Sequence, residues 1–325
     1  MEKRTLGRTG RDVGVVGLGA WQLGADWGEV GEDEALGVLR AAVEGGVTFI
    51  DTADVYGDGR SERLVGQVLK EYDGLTVASK MGRRVEQRPE NYSLDNFRAW
   101  NDRSRENLDV ETIDLVQLHC PPTEVYATDA VFDALDTLVE QRRIAAYGVS
   151  VETCAEALTA IARPNVASVQ IILNAFRLKP LDEVLPAARE AGVGIIARVP
   201  LASGLLSGKY DENTTFSADD HRTYNRHGEA FDVGETFSGV DFGTGLEAVR
   251  RLVPWLPAGV TMAQFALRWI LDQPGVSVVI PGARNPGQAT ANLAAADLPP
   301  LTADQLAAVR DTYDQLVRPQ VHARW

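Results

Sequence analysis

The sequence predicts an α/β protein whose eight parallel strands close into a (β/α)8 TIM barrel. Short β-branched runs alternate with amphipathic stretches of helical period, which is typical of parallel α/β folds. There are eight such runs, and that number favours a closed barrel over an open sheet. No change of composition and no linker rich in proline and glycine divides the chain, so we predict a single domain over residues 1–325.

The first helix-to-strand boundary is well marked. Apolar residues recur at helical spacing between Ala35 and Val43, and the pair Gly45-Gly46 then ends the predicted helix. Residues 47–50 follow as a short apolar run, which predicts a buried strand. We therefore expect a helix and a strand joined by a turn that contains two glycines.

The other strands are predicted from similar runs. The eight predicted strands cover residues 13–18, 47–50, 75–79, 113–118, 144–149, 166–171, 194–197 and 276–280. Residues 3–6 and 11–13 are predicted to pair as an N-terminal β-hairpin that covers the N-terminal end of the barrel. Residues 202–245 and a C-terminal tail from Leu301 lie outside these repeats.

Composition and charge exclude several classes of partner. The chain is 45% hydrophobic and 24% charged, as in ordinary globular proteins. Its formal net charge of −14 disfavours nucleic acid and anionic membranes, so we predict neither as a partner. An anionic ligand then requires a local cluster of basic residues. No leader-like apolar segment follows the N-terminus, and no run of eighteen apolar residues occurs, which predicts a cytoplasmic protein.

The cysteines and histidines give no metal-binding pattern. Cys120 and Cys154 form neither a disulfide framework nor a ligand spacing, and this suits a reducing compartment. His221, His227 and His322 are scattered and are predicted to be loop or tail residues. We therefore predict no metal site.

Polar residues stand at the C-terminal ends of successive predicted strands. They are Asp51 and Tyr56 at the second strand, Lys80 at the third, His119 at the fourth, Ser150 at the fifth and Gln170 on the sixth. Because these ends form the mouth where barrel enzymes carry out their chemistry, we expect the residues to meet in one site. Each residue alone is compatible with a satisfied polar group at the barrel mouth, but together they indicate an active site.

The chemistry of these residue types explains the combination. The pKa of a tyrosine hydroxyl is ~10, which is too high for easy proton exchange at neutral pH. A nearby ammonium group can stabilise the phenolate form of Tyr56, and Lys80 can supply that group. Asp51 on the adjacent strand can pair with the lysine and offset its desolvation. A neutral His119 can donate a hydrogen bond to a carbonyl oxygen. The set is suited to reducing a carbonyl group.

These residues lie in strings that resemble the aldo-keto reductase family along essentially the whole chain. The strings are residues 17–21, 49–57, 79–80, 118–119, 147–150, 200–204 and 280–284. The resemblance implies a TIM barrel and an NADP(H)-dependent oxidoreductase that reduces a small carbonyl substrate. It also implies a catalytic tetrad of Asp51, Tyr56, Lys80 and His119, with Tyr56 as the proton donor.

The resemblance further implies a set of cofactor contacts. The predicted NADP(H)-binding residues are Ala20, Trp21, Asp51, Ser150, Gln170, Arg198, Val199, Pro200, Leu201, Ala202, Ser203, Gly204, Lys209, Gly282, Arg284, Gln288 and Asn292. By this resemblance Ser150 and Gln170 hold the nicotinamide carboxamide. The segment from Pro200 to Gly204, with Lys209, wraps the pyrophosphate. Arg284, Gln288 and Asn292 hold the 2′-phosphate and the adenine.

The chain departs from the family pattern at three positions in or beside this set. Val151 replaces an Asn or Arg found in many relatives, so one side-chain contact is expected to be missing. Arg198 replaces an aromatic residue; its guanidinium can stack on the nicotinamide or instead contact substrate or pyrophosphate. Gln288 stands where some relatives have Arg, which leaves Arg284 as the main argument for NADPH over NADH.

Two alternative functions stay open at this stage. One is the reverse reaction, oxidation of a sugar or polyol by the same tetrad. The other is a cofactor-binding regulatory subunit, because potassium-channel β-subunits resemble this fold; they commonly carry Asn at the position of His119. Residues 219–239 are predicted to shape the substrate pocket, with Trp21, Trp27 and Tyr56 as an aromatic mouth. The sequence determines neither the substrate nor the oligomeric state.

Overall fold

The computed structural model describes residues 1–24 and 30–325. Within these ranges the strands are β1 Lys3–Thr5, β2 Asp12–Gly14, β3 Leu18–Gly19, β4 Phe49–Asp51, β5 Thr76–Met81, β6 Leu115–His119, β7 Tyr147–Ser150, β8 Val166–Ile172, β9 Gly194–Arg198 and β10 Val276–Val279. The helices are α1 Trp21–Gly24, α2 Glu32–Glu44, α3 Arg60–Leu69, α4 Leu94–Leu108, α5 Asp129–Glu140, α6 Cys154–Ile161, α7 Val184–Ala191, α8 His221–Tyr224, α9 Phe242–Leu252, α10 Met262–Leu271, α11 Pro286–Leu293, α12 Ala303–Thr312 and α13 Arg318–Val321. Strands and helices alternate as predicted.

Strands β3 to β10 form a closed barrel. Each strand pairs in parallel with the next one along the chain. The two outermost strands meet through parallel bridges that join Val16 to Val279 and Gly19 to Gly282. The Gly17 N–H donates to the Val279 carbonyl oxygen at 2.9 Å. The predicted eight-stranded barrel is therefore confirmed.

The N-terminal hairpin closes one end of this barrel. Strands β1 and β2 pair antiparallel, close to the predicted residues. Leu6 and Val13 are fully buried. They pack in one apolar cluster with Phe49, Ala78, Leu115, Ile196, Val278 and Ile280. Because Phe49 and Leu115 begin their strands, the hairpin plugs the N-terminal end, as predicted.

The prediction for the first barrel strand was wrong in its extent. Residues 13–18 were expected to form one strand, but Asp12–Gly14 belongs to the hairpin and only Leu18–Gly19 is a barrel strand. A continuous apolar run does not reveal which neighbour each part of it pairs with. Gly17 joins the two parts where a Cβ atom would lie 2.8 Å from the Phe49 carbonyl oxygen, so the chain needs glycine there.

The helices surround the barrel, and α2 illustrates how they are specified. Its residues Ala35, Leu39 and Ala42 are fully buried, while its charged residues face outward. The helix ends at the predicted glycine pair, where Gly46 adopts a φ of 99°, in the region that favours glycine. None of the helices in the described ranges is long and apolar enough to cross a membrane.

The alternation of side chains along the strands builds two layers inside the barrel. The apolar layer next to the hairpin contains Phe49 of β4, Ala78 of β5 and Ile196 of β9. Two residues further along the same strands stand Asp51, Lys80 and Arg198, which line a cavity at the mouth. The period of two thus places a polar layer at the C-terminal ends of the strands.

The hairpin plug gives a testable prediction. Leu6→Ala is expected to lower the free energy of unfolding by about 2–4 kcal/mol, because it leaves a void against the apolar layer of the barrel. Urea unfolding followed by circular dichroism measures the change, with Lys3→Ala on the exposed side of β1 as the control. Equal stability of the two variants would contradict the plug.

Candidate active site

The centre of the site is an ion pair buried inside the barrel. Lys80 Nζ donates to Asp51 Oδ1 and, at 3.0 Å, to the Thr52 carbonyl oxygen. Both charged side chains are at most 3% exposed. Gln117 and Gln170 donate to the second oxygen of Asp51 from 3.1 and 2.8 Å. Three side-chain donors therefore hold the carboxylate and offset the desolvation of the charges.

Tyr56 lies in the loop after β4, beside the ammonium group. Its hydroxyl oxygen is 3.3 Å from Lys80 Nζ. Burial raises the pKa of Tyr56, although the charge of Lys80 opposes the rise. The charge of Lys80 lowers the pKa of Tyr56 as expected, but burial raises this pKa by more. Burial lowers the pKa of Lys80, yet Asp51 and Tyr56 outweigh it and the net shift is upward. Tyr56 therefore carries its proton beside a charged lysine at neutral pH.

His119 ends β6 on the other side of Tyr56. The two rings meet edge to face, with 5.9 Å between their centres. Burial holds the pKa of His119 well below its ordinary value, and the charges of Arg83, Lys80 and Arg198 lower it further. The imidazole is therefore neutral at physiological pH and can donate a hydrogen bond from one ring nitrogen.

The tetrad lines a cavity of about 640 Å³ at the barrel mouth. Fourteen other residues of the predicted cofactor set line the same cavity, namely Trp21, Ser150, Gln170, Arg198, Val199, Pro200, Leu201, Ser203, Gly204, Lys209, Gly282, Arg284, Gln288 and Asn292. Residues 202–245 contribute further wall residues, including Tyr210, Arg222, Phe231 and Glu235. The fold thus brings the predicted residues together in one continuous space.

Two predicted contacts do not reach this cavity. Ala20 and Ala202 are fully buried, and neither belongs to the cavity wall. The Ala20 N–H donates to the Asp51 carbonyl oxygen, so this residue supports the strand that carries the ion pair. The family pattern marks a stretch of chain, and it does not tell which residues of the stretch turn inward. Trp27, predicted in the aromatic mouth, lies outside the described residues.

The side chains of Ser150 and Gln170, predicted for the nicotinamide end, contact other residues of the barrel mouth. Ser150 and Gln170 are direct neighbours in the pairing of β7 with β8. Gln170 donates its amide hydrogens to Asp51 and, at 3.2 Å, to Gln117. The amide NH₂ group of Gln170 therefore orients the Asp51 carboxylate of the ion pair. Ser150 Oγ lies 3.3 Å from Cys120 Sγ, and burial raises the pKa of this thiol to about 12, which makes it unreactive.

Arg198 sits in a network of charged side chains. Its guanidinium donates to the Val151 carbonyl oxygen and to Glu152, both at 2.9 Å, and pairs with Glu235 at 2.5 Å. Cys120, Glu152 and Glu235 form the one cluster of potential metal ligands within the described ranges. Arg198 already places a cation between the two carboxylates. Its guanidinium is thus fixed at the mouth.

The other end of the cavity is basic. Lys209 and Arg284 line it, and the charge of Arg284 acts on Tyr210, the neighbour of Lys209. The Arg284 N–H donates to the side chain of Gln288 at 2.9 Å, and Asn292 donates to the Gly282 carbonyl oxygen at 3.1 Å. The two amide side chains therefore shape the loop that presents Arg284. This is the local basic site that an anionic ligand requires in a chain of net charge −14.

Several wall residues were not identified from the sequence. Gln117 stands two residues before His119 on β6, so strand alternation was a usable signal for it. Arg83 lies in the loop after β5, and Glu235 ends the short 3₁₀ helix Val233–Glu235. No local sequence pattern indicates that either residue reaches the cavity. His221 was predicted to be an ordinary loop residue, but it is fully buried with its ring centre 5.0 Å from that of Trp21.

The comparison with known protein families agrees with this geometry. The model of the aldo/keto reductase family matches residues 15–314. The match covers the barrel and the whole tetrad. The chain therefore belongs to the aldo/keto reductase family of oxidoreductases.

Individual relatives span nearly the same length. Aldo-keto reductase YhdN of Bacillus subtilis is 32% identical over 300 residues, 89% of this chain and 86% of that protein. The structure of glycerol dehydrogenase AKR11B4 from Gluconobacter oxydans superimposes with a TM-score of 0.76 at 30% identity, covering 94% of this chain and 93% of that one. A probable voltage-gated potassium channel subunit beta of Arabidopsis thaliana is 27% identical, with 93% of each chain covered.

Asp54, two residues before Tyr56, is a buried carboxyl group that the sequence pattern did not single out. It is fully buried, and neither of its oxygens has a hydrogen-bond partner within residues 1–24 and 30–325. Burial and the neighbouring Glu62 raise its pKa to about 7, although Arg84 and Arg103 oppose the rise. Asp54 therefore makes the stability of the protein depend on pH.

We predict the sign of this dependence. The folded protein binds a proton on Asp54 that the unfolded chain, with a pKa of 3.8, has already lost at pH 5. The contribution of Asp54 to stability therefore falls as the pH rises from 5 to 8, and Asp54→Asn should make the stability change over this range less negative by on the order of 2 kcal/mol. Urea unfolding at both pH values measures it, with the exposed Asp73→Asn as control. The same fall in wild type and Asp54→Asn would refute the assignment.

Proposed function

We propose that this protein reduces the carbonyl group of small aldehydes or ketones to an alcohol, with NADPH as the cofactor. The observation that carries the proposal is the position of Tyr56 between a charged Lys80 and a neutral His119. The Asp51 carboxylate holds Lys80 in place through their ion pair. These four groups can bind a carbonyl oxygen and deliver a proton to it.

The cavity fits a dinucleotide cofactor. It reaches from the tetrad to the basic end at Lys209 and Arg284, so a nicotinamide can lie at one end and phosphate groups at the other. The segment after β9 has positive φ angles at Val199 and Ser203, an irregular backbone of the kind that can turn its N–H groups toward an anion. We assign the pyrophosphate to this segment, and the nicotinamide to Ser150, Gln170 and Arg198.

Bound NADPH would supply the hydride that adds to the carbonyl carbon. Tyr56 gives its hydroxyl proton to the carbonyl oxygen, which completes the alcohol and leaves a phenolate. The Lys80 ammonium, 3.3 Å away, stabilises that phenolate. Asp51 holds Lys80 in its charged form and in this position. The raised pKa of Tyr56 ensures that the proton is present before the reaction.

His119 completes the binding of the oxygen. Because its pKa is low, the neutral ring can donate a hydrogen bond without competing with Tyr56 as an acid. With the Tyr56 hydroxyl it places two donors around the oxygen, where negative charge develops. His119 also argues against the channel-subunit alternative, because the sequence resemblance associates that role with Asn at this position.

The reverse reaction is the second candidate. The tetrad accelerates both directions equally, so oxidation of an alcohol by NADP⁺ uses the same groups. The similarity to a glycerol dehydrogenase favours this candidate over the regulatory one. The single domain over residues 1–325 also stays a prediction, and the proposal does not depend on it.

Tyr56→Phe tests the proton donor. We expect kcat/KM for NADPH-dependent reduction of a panel of aldehydes and ketones to fall about 100-fold or more, because no other acid replaces the phenol. NADPH binding, followed by fluorescence titration, should change little, since the ring is retained. Normal turnover by Tyr56→Phe would rule out the proposed acid.

Arg284→Ala tests the choice of cofactor. Removing a cation that contacts the 2′-phosphate should weaken NADPH binding about 10- to 100-fold and leave NADH binding nearly unchanged. Titration with both nucleotides measures the ratio, and Arg250→Ala, an exposed arginine of α9, serves as the matched control. An equal loss of affinity for both nucleotides would place the 2′-phosphate elsewhere.

A further inference from the structure

Two charged residues that line the cavity with the tetrad have no assigned contact with substrate or cofactor in the proposed reduction. Arg83 follows β5, and Glu235 lies in the segment before α9; both line the cavity together with Tyr56 and His119. Arg83 contacts the backbone of His119, and the charge of Glu235 raises the pKa of Tyr56. They therefore line the same space as the tetrad.

Glu235 offers one hydrogen-bond acceptor to this space. One of its oxygens, Oε1, pairs with Arg198 at 2.5 Å. The other makes no hydrogen bond within the described ranges. The backbone around Glu235 is fixed, because Ser203 Oγ donates to the Glu235 carbonyl oxygen at 2.9 Å and accepts from the Phe237 N–H at 3.0 Å. The carboxylate is therefore held in place with one oxygen unused.

Arg83 offers a donor to the same cavity. Its Nε donates to the His119 carbonyl oxygen at 3.1 Å, and its Nη2 lies 3.5 Å from Glu152. Its Nη1 makes no hydrogen bond to any described residue, and 22% of the side chain is exposed. Arg83 and Glu235 belong to one network of charged side chains, because Glu152 contacts both Arg83 and Arg198, and Arg198 pairs with Glu235.

Three classes of carbonyl compound would interact differently with this pair of groups. An anionic substrate meets the carboxylate of Glu235, while each nearby arginine already has a carboxylate partner. A purely apolar substrate removes water from both charged groups and returns no hydrogen bond to them. A hydroxyl group donates one hydrogen bond and accepts others, so it can satisfy both.

We propose that Glu235 and Arg83 are specificity-determining residues that select carbonyl substrates with hydroxyl groups next to the reacting carbon. The hydroxyl donates to Glu235 and accepts from Arg83. Trp21 and Phe231, whose ring centres are 6.0 Å apart in the same cavity, pack against the C–H groups of such a substrate. The inference rests on the proposed reductase function and names its substrate class.

The first part of the test compares pairs of aldehydes of equal carbon number with the wild-type enzyme and NADPH. We expect kcat/KM for glyceraldehyde to exceed that for propanal at least tenfold, and kcat/KM for 4-oxobutanoate to lie below that for butanal. Similar values for glyceraldehyde and propanal would overturn the inference and leave the reductase function intact. No turnover of any of the four compounds would remove the proposed function and the inference together.

The second part assigns the selectivity to its residues. Glu235→Ala should reduce the glyceraldehyde-to-propanal ratio at least fivefold, because the acceptor is lost. Glu235→Gln keeps an acceptor oxygen without the charge, so it should retain most of that ratio and raise the 4-oxobutanoate-to-butanal ratio. Arg83→Met should also lower the first ratio. Each compound is present partly as free aldehyde, and this fraction is the same for every enzyme variant. It therefore cancels when the kcat/KM ratio of two compounds is compared between variants.

The matched control is Glu229→Gln, which removes an exposed carboxylate from the same segment. It should show the wild-type ratios. If glyceraldehyde and propanal lose kcat/KM in parallel in both Glu235 variants, Glu235 only supports the loop and the inference is wrong. Circular dichroism of each variant shows that a parallel loss does not come from unfolding.

Discussion

The active site depends on one interaction, the buried ion pair between Lys80 and Asp51. Removing one partner from such a pair costs about 3–5 kcal/mol, because an uncompensated charge stays buried. The barrel offsets the desolvation of the pair with hydrogen bonds from the amides of Gln117 and Gln170 to Asp51 and from Lys80 to the Thr52 carbonyl oxygen. Closure of the barrel brings these donors and acceptors from four strands or strand ends to one point. Tyr56 and His119 gain their chemical character from this charged, desolvated centre.

Charge is distributed in the cavity according to the chemistry of each end. The whole chain carries a net charge of −14, yet Lys209 and Arg284 create a basic end suited to phosphate groups. At the tetrad end, cations and carboxylates are paired, as between Arg198 and its two glutamates. The first end attracts an anion, whereas the second presents hydrogen-bonding groups with little net charge. A nucleotide and a neutral carbonyl compound match these two environments.

The barrel, its hairpin and the grouping of the tetrad were predictable from the sequence, because strand periodicity fixes which residues point to the mouth. The extent of the first barrel strand was not predictable, because residues 12–14 pair with β1 in the hairpin and not with a barrel strand. Gln117 was missed although alternation from His119 indicated it. Arg83 and Glu235 lie in connections between the barrel strands and helices, and the path of such connections depends on tertiary contacts such as that of Ser203 with the Glu235 backbone. Ala20 and Ala202 were assigned to the cavity because a sequence motif does not show side-chain direction.

The most direct test of the central claim follows the transferred hydrogen. The protein is incubated with a carbonyl substrate and NADPH that carries deuterium on the transferable position of the nicotinamide, and the product alcohol is examined by NMR. Our account predicts one deuterium on the carbinol carbon, with all of it from a single face of the nicotinamide. An alcohol without deuterium at that carbon, or NADPH consumption with no alcohol formed, would contradict the claim that the Tyr56 site is a carbonyl reductase.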